Sequence, residues 1–251
     1  MTASRMAGRG DWMLTVEKTV LPSPEQWEII IEGMRNPKNS WELSDSDICK
    51  GADGFEDCTI SITGVCPRHE HWQNDIFCIG KADQKLMTGL AKGGPVHAKY
   101  RRMIPVFVTI NAPLYWWKEF DTYKVGTVCN SCSTMHKIHE KEFTFSDFSC
   151  EHLNRGSMRI MEDIVETLNI ERNNLLHCGN KWSWWQLIQL LPTSYNQKRT
   201  IMLNYEVLCN IYHSRKNHKL DEWHTLCDWI RTLPYFEFII GGVENGKKET
   251  V

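Results

Sequence analysis

The residue types able to do chemistry gather in a few stretches of the chain. Cys58, Cys66, His69, His71 and Cys78 bring thiols and imidazoles together. Cys66-Pro-Arg-His69 is spaced like half of a zinc site, but zinc needs four ligands in a tetrahedron and no second half-site has regular spacing. Buried thiols beside exposed histidines are the alternative, and no metal is assigned. Cys129-Asn-Ser-Cys132 has the spacing of a redox pair without a thioredoxin-like strand–helix context. There is no Gly-x-Ser-x-Gly elbow and no Gly-x-x-x-x-Gly-Lys-Ser/Thr loop. Cys and His are so abundant that a pair of them carries little meaning, and no thiol nucleophile is assigned. Asn130-Ser131-Cys132-Ser133-Thr134 lines up hydroxyl and amide donors ahead of His136 and Lys137. Such a run suits a phosphate or a pyrimidine edge, or forms an ordinary turn. Trp116-Trp117 and the Trp182/Trp184/Trp185 cluster suit a packed core, or a stack on a flavin, pterin or base. Asn204, Asn210 and Arg215 fall in one periodic segment. At 100° per residue Asn204 and Arg215 share a helix face, with Asn210 further round; a solvated face is the alternative.

The elements that must position these residues follow from periodicity and punctuation. Trp12 to Val16 reads as a strand. Ser23 is an N-cap with Pro24 at the first helical position and Gln26 three residues on, predicting a helix over Glu25 to Met34. Residues 35–79 are polar, Cys- and Asp-rich and weakly periodic, an irregular insertion with strands near Thr59 to Val65. Asp83 to Lys92 is a helix stopped by Gly93-Gly94-Pro95. Met103 to Ile110 is the clearest strand, and Pro105 fits only its edge or its first residue. Ala112-Pro113 opens a helix through Phe120, followed by a loop of small polar residues over 126–134. Helices are expected over 157–177, Trp184 to Leu191, 197–215 (stripe Ile201, Leu208, Ile211, Tyr212) and Leu220 to Thr232. No repeat and no linker divides the chain. A single domain over 1–240 and a disordered tail over 241–251 are expected.

Composition bounds the partners. The chain has 251 residues and a formal charge of −2, which disfavours nucleic acid or a membrane surface as a partner. No apolar run approaches the roughly 18–20 residues of a membrane span. The N-terminus lacks an apolar signal core. A cytoplasmic protein is expected, with its 10 cysteines reduced and mostly buried.

Together these segments resemble the flavin-dependent thymidylate synthases, from about Gly80 to Trp223. Asp83-Gln-Lys-Leu86 leading into Gly93-Gly-Pro-Val-His97 looks like the family's segment ahead of its central strand. Thr122-Tyr123-Lys124 stands where the family carries Arg-His-Arg, with Thr127 near its Ser. Asn130 and Ser133 fall under the Asn and Ser that follow. After Leu191-Pro192 the spacing to Asn204, Asn210 and Arg215 matches without a gap. The departures are specific. Besides Arg-His-Arg, the Arg-Tyr ending is Met135-His136, the Glu after the motif Asn is Ser131, and the Arg of Asn-x-Arg is Glu206. Lys118, Lys124, His136, Lys137 and Arg199 are the cations available to replace those lost, though Lys is a point charge and Arg a fork.

The resemblance implies an α+β fold, with a mostly antiparallel central sheet and surrounding helices. It implies transfer of a one-carbon unit from methylenetetrahydrofolate to C5 of dUMP, with FAD as cofactor, NADPH as reductant and dTMP as product. Arg215 would act on the uracil ring. His97, Tyr123, Lys124, Thr127, Asn204 and Asn210 would hold FAD. Glu119, Asn130, Ser131, Cys132, Ser133 and Thr134 would hold dUMP or a related pyrimidine nucleotide. A homotetramer is implied, with each site built from several subunits. The altered loop also admits a related flavin- and folate-dependent hydroxymethylase or methylase acting on another pyrimidine nucleotide. The missing Arg-His-Arg admits a nucleotide-binding protein that kept the fold without catalysis.

Overall fold

The helices that follow Ser23, Asn154, Asn180 and Asn204 begin where that side chain supplies a cap. The computed structural model describes residues 14–49 and 76–241. Helix α1, Pro24–Arg35, starts at Ser23. The Ser23 hydroxyl accepts from the Gln26 N–H, and the Gln26 side chain accepts from the Ser23 N–H at 2.9 Å. Two N–H groups that the first turn leaves unpaired are thereby satisfied. Trp27, Ile30, Ile31 and Met34 form its buried face. Helix α2, Lys81–Lys92, ends at Gly93. Strand β1, Thr15–Val20, precedes α1, and strands β2, Asp47–Cys49, and β3, Ile76–Cys78, pair antiparallel ahead of α2. Thr59 to Val65, most of the Cys-rich insertion, Trp12 and the expected tail from 242 onward lie outside the described residues.

Strand β4, Pro105–Pro113, buries Val106, Val108, Ile110 and Ala112, every second residue. Pro105 is its first residue, where the missing N–H costs least. Helix α3, Leu114–Phe120, follows directly. Strand β5, Val128–Ser131, occupies part of the expected loop. Helices α4, Arg155–Cys178, and α5, Lys181–Leu190, come next. The expected helix over 197–215 is corrected in its first half. Residues Asn196–Asn204 form strand β6, and helix α6 begins only at Tyr205 and runs to Arg215. Gln197, Ile201 and Leu203 are buried at even spacing, the period of a strand. The stripe Ile201, Leu208, Ile211 and Tyr212 skips Leu203 and joins two elements. Helices α7, Asp221–Thr232, and α8, Phe236–Ile240, complete the chain.

The sheet order is β1-β4-β6-β5, so β5 is an edge. It pairs antiparallel with β6, with Asn130 opposite Thr200 and Ser131 opposite Arg199. The architecture is α+β, an antiparallel sheet with helices around it.

The chain divides into two units. One comprises residues 1–19, 108–202 and 217–226; the other comprises 20–107, 203–216 and 227–251. In the first unit Trp116, Trp117, Phe120 and Trp223 pack together, with Trp116 at 4.7 Å from Trp117 and 4.8 Å from Trp223. The core-packing reading of Trp116-Trp117 therefore holds. A second cluster joins Phe143, Phe148, Tyr195 and Leu187 to Met161, Val165 and Leu168 of α4. Trp182 and Trp185 of α5 are exposed, and the core reading fails for them. In the other unit Trp27 stacks on Phe77 and meets Tyr235 edge-on. The buried Arg35–Asp83 ion pair ties α1 to α2 at 2.6 Å. Ser44 and Ser46 hydroxyls also donate to Asp83, so this buried carboxylate is paired and hydrogen-bonded.

Candidate functional site

In the first unit the residues expected to meet nucleotide lie on β5 and the turn after it. Asn130, Ser131, Cys132 and Ser133 are exposed and Thr134 is half-buried. The Cys132 N–H still donates to the Lys198 carbonyl at 3.0 Å, so the ladder outlasts the strand by one residue. The Ser133 hydroxyl accepts from the His136 N–H at 2.9 Å and the Met135 N–H at 3.3 Å. That folds Ser133 to His136 into a turn stabilised by its own side chain. Trp184 of α5 donates its indole N–H to the Met135 carbonyl, bracing this turn.

Tyr123, Lys124 and Thr127 lie on the segment between α3 and β5. Tyr123 is half-buried, its ring 6.3 Å from Phe120 and 6.1 Å from Trp223. Lys124 is exposed. The Thr127 hydroxyl is shielded from solvent and has no hydrogen-bond partner. Glu119, on α3, accepts from the Trp223 indole N–H at 2.8 Å, and His218 Nε2 lies 3.5 Å from the same oxygen. His218 Nδ1 accepts from the Leu220 N–H, which leaves its proton on Nε2, toward Glu119.

Arg199 of β6 is held by a ring face and two hydrogen bonds. Its guanidinium lies 4.3 Å from the Trp117 ring centroid. Its Nε donates to Gln197 and its Nη1 to Asp121, at 2.9 and 2.7 Å. Cys129 Sγ lies 3.9 Å from Nη1. Neither motif nor motif spacing marks Asp121, Gln197, His218 or Trp223 as members of this site. A strand signal was available for Gln197 and Arg199. They alternate with Ile201 on one face of β6, which a helical reading of the segment conceals.

The remaining expected site residues belong to the other unit. His97 is exposed and packs against Gly93. A Cβ at Gly93 would come within 3.0–3.2 Å of the His97 side chain, so a larger residue there would push the imidazole aside. Asn204 is the N-cap of α6, with φ −133°, and its side-chain oxygen accepts from the Val207 N–H at 3.1 Å. It precedes the helix, so the shared face proposed for Asn204 and Arg215 does not apply. Asn210 is exposed on α6, and Arg215 is half-buried in the last turn. Glu206 is buried, 3.7 Å from Arg101 Nη1, and its Oε2 has no hydrogen-bond partner. Arg101 Nε donates to the Ile239 carbonyl at 2.8 Å, so the pair links α6 to α8. Burial, with Lys216 and Arg101 nearby, holds His213 below its ordinary value and favours the neutral ring.

The thiols divide by exposure. Cys129, Cys132 and Cys178 are exposed, Cys78 is half-buried, and Cys150, Cys209 and Cys227 are buried. The expectation of mostly buried cysteines does not hold among these described residues, because Cys129 and Cys132 lie on and just after the exposed strand β5 and Cys178 ends α4. Desolvation raises the Cys150 and Cys227 thiols to about 11 and Cys209 to about 12. Among the described residues no group of three or more His, Cys, Asp or Glu could hold a metal, and no helix is long and apolar enough to cross a membrane. Cys58, Cys66, His69 and His71 lie outside them.

No protein-family profile matches the sequence, and no curated protein matches it significantly. Solved structures do match. The flavin-dependent thymidylate synthase ThyX of Helicobacter pylori, complexed with FAD and dUMP, aligns with a TM-score of 0.57 at 13% identity. The alignment covers 91% of this chain and 97% of that one. A second structure of that enzyme with FAD and dUMP gives 0.56 at 15% identity, covering 91% and 96%. The UMP/dUMP methylase PolB of Streptomyces cacaoi, bound with 5-Br UMP, gives 0.48 at 14% identity, covering 64% and 85%. The chain has the fold of the flavin-dependent thymidylate synthases.

Proposed function

We propose that this chain is a divergent flavin-dependent thymidylate synthase, an enzyme that carries a one-carbon unit from methylenetetrahydrofolate to C5 of dUMP and reduces it to the methyl of dTMP. The observation that carries the reading is the likeness of fold along 91% of the chain to a synthase solved with FAD and dUMP. The motif residues from His97 to Arg215 support it.

The donor set fits a flavin. The Thr127 hydroxyl is a buried polar group without a partner, which costs free energy unless a ligand satisfies it. Lys124 is an exposed cation two residues after Thr122, on the same connecting segment. His97, Tyr123, Lys124, Thr127, Asn204 and Asn210 would hold FAD, and Asn204 would use its amide NH2 because its oxygen caps α6. FAD held there, with NADPH as its reductant, would supply the hydride that completes the methyl group. The protein contributes position and charge. Arg215 would stabilise negative charge on the uracil carbonyls as C5 becomes the nucleophile toward the incoming one-carbon unit. Asn130, Ser131, Ser133 and Thr134 hydrogen-bond the sugar and phosphate, with Glu119 and Cys132 beside them. The exposure of Asn130 to Ser133 in the single chain suits a site completed by neighbouring subunits, as in a homotetramer. No thiol nucleophile is needed.

One observation favours a second reading, a nucleotide-binding protein without flavin. Glu206 replaces a family arginine and is buried against Arg101. Absorption spectra before and after addition of FAD, followed by gel filtration, decide between them. Stoichiometric flavin retention is expected. A chain that neither retains nor quenches flavin, with dUMP present, would leave only the second reading. Product analysis with dUMP against dCMP then identifies the nucleotide.

A further inference from the structure

We infer that Arg199 is a phosphate-binding cation of this chain, a guanidinium supplied from β6 in place of the arginines absent at Thr122-Tyr123-Lys124. The inference rests on the proposed nucleotide and flavin binding and names the group that receives their phosphates.

The geometry is that of a held fork. Trp117 lies under the guanidinium plane, and Trp117 is itself fully buried with its N–H bonded to the Gln197 carbonyl. Gln197 and Asp121 take Nε and Nη1. Among the described residues Nη2 makes no hydrogen bond. The side chain is 13% exposed, so it is preorganised without being sealed. An arginine fixed in this way loses little further rotamer freedom when it accepts an anion.

Its surroundings match a phosphate. Arg199 stands directly opposite Ser131, and Asn130 and Cys132 flank that residue on the exposed edge strand. Asp121, which it holds, immediately precedes Thr122-Tyr123-Lys124. The one guanidinium therefore holds the residue just before one segment expected to meet a ligand and lies beside Cys129 on the strand that leads into the other. The other cations offer less. Lys137 is paired with Glu140 and Lys198 with Glu17. Lys118 and Lys124 are exposed point charges. Asp121 is half exposed and can yield Nη1 to a more highly charged phosphate.

The test is equilibrium binding to the full chain. Ligands with and without phosphate are compared: dUMP with deoxyuridine, and FAD with riboflavin. Arg199→Gln is expected to weaken dUMP or FAD by roughly tenfold to a hundredfold, the scale of a charged hydrogen bond, and to leave its phosphate-free partner unchanged. Whichever pair separates identifies the source of the phosphate. Arg199→Lys should recover part of the loss. Asp121→Asn removes a competing carboxylate and should tighten the same ligand by roughly threefold, even if Arg199→Gln proves unstable. Equal losses with and without phosphate, or a weakened ligand in Asp121→Asn, would make Arg199 a structural residue and overturn the inference. So would unchanged dUMP and FAD binding in Arg199→Gln. A wild-type chain that binds neither dUMP nor FAD would instead overturn the proposed function, and this inference with it.

Discussion

Cys129 and Cys209 show how far residue type falls short of residue chemistry. The same side chain is exposed on an edge strand in one case and buried on the inner face of α6 in the other. Alkylation proceeds through the thiolate. At pH 8 a thiol raised to about 11 is ionised in roughly one molecule in a thousand, and one raised to about 12 in roughly one in ten thousand. Iodoacetamide at pH 8 should therefore label Cys129, Cys132 and Cys178 in the native chain within minutes. Cys150, Cys209 and Cys227 should react only after denaturant is added. Their labelling should rise with pH toward 11–12, because deprotonation is what burial opposes. Peptide mapping by mass spectrometry reads both sets; early native labelling at Cys209 would contradict the burial described. Sequence spacing could present Cys129 and Cys132 as a pair. It could not show that a guanidinium lies beside the first of them, since Arg199 is seventy residues away in the chain.

Elements were legible where local signals agreed. Ser23-Pro24-Glu25-Gln26 states its cap in four residues, and the structure repeats it bond for bond. Gly93 stops α2, and Pro105 opens β4, for reasons confined to the backbone. The segment 197–215 was not legible because two elements abut without a breaker. Asn204 is both the last residue of β6 and the cap of α6, so no Gly or Pro marks the change of period. β5 was missed because its residues are all exposed and so carry no apolar alternation. The Asn204 cap separates two roles that the sequence merges. Asn204→Ala should cost about 1 kcal/mol of stability, from loss of the bond to the Val207 N–H. Asn204→Asp keeps an acceptor at the cap and should retain that stability, while lacking the amide NH2 assigned to flavin. Denaturation in urea, run beside flavin binding, distinguishes them. The expected result is that Asp restores stability but not flavin affinity. Equal flavin affinity in both variants and wild type would confine Asn204 to capping.

For the whole molecule, the sequence reading found no linker, and the arrangement of the units explains why. Each unit is assembled from three separate stretches of chain, and four of the five boundaries fall inside β1, β4, β6 and α7, with the fifth just after α6. Composition cannot mark a boundary that passes through a strand. The long-range placement of Glu206 against Arg101 was equally hidden, because a buried pair is defined by elements far apart in sequence. We propose that residues 14–241 behave as one cooperative folding domain. Neither unit can be cut from the chain as a continuous piece, and unfolding either one removes strand residues that the same β4 and β6 carry onward. Chains above roughly 150 residues often unfold through intermediates, so a single step here would be informative. Urea unfolding followed by far-ultraviolet circular dichroism and by tryptophan fluorescence should give one superimposable transition. The tryptophans make this sensitive: Trp27, Trp41 and Trp229 report on one unit, and Trp116, Trp117 and Trp223 on the other. Replacing Trp27, Trp41 and Trp229 by Phe should leave the fluorescence midpoint equal to the dichroism midpoint, after allowance for any change in stability. Two separated midpoints would show that the units melt independently, and would replace the single domain with two.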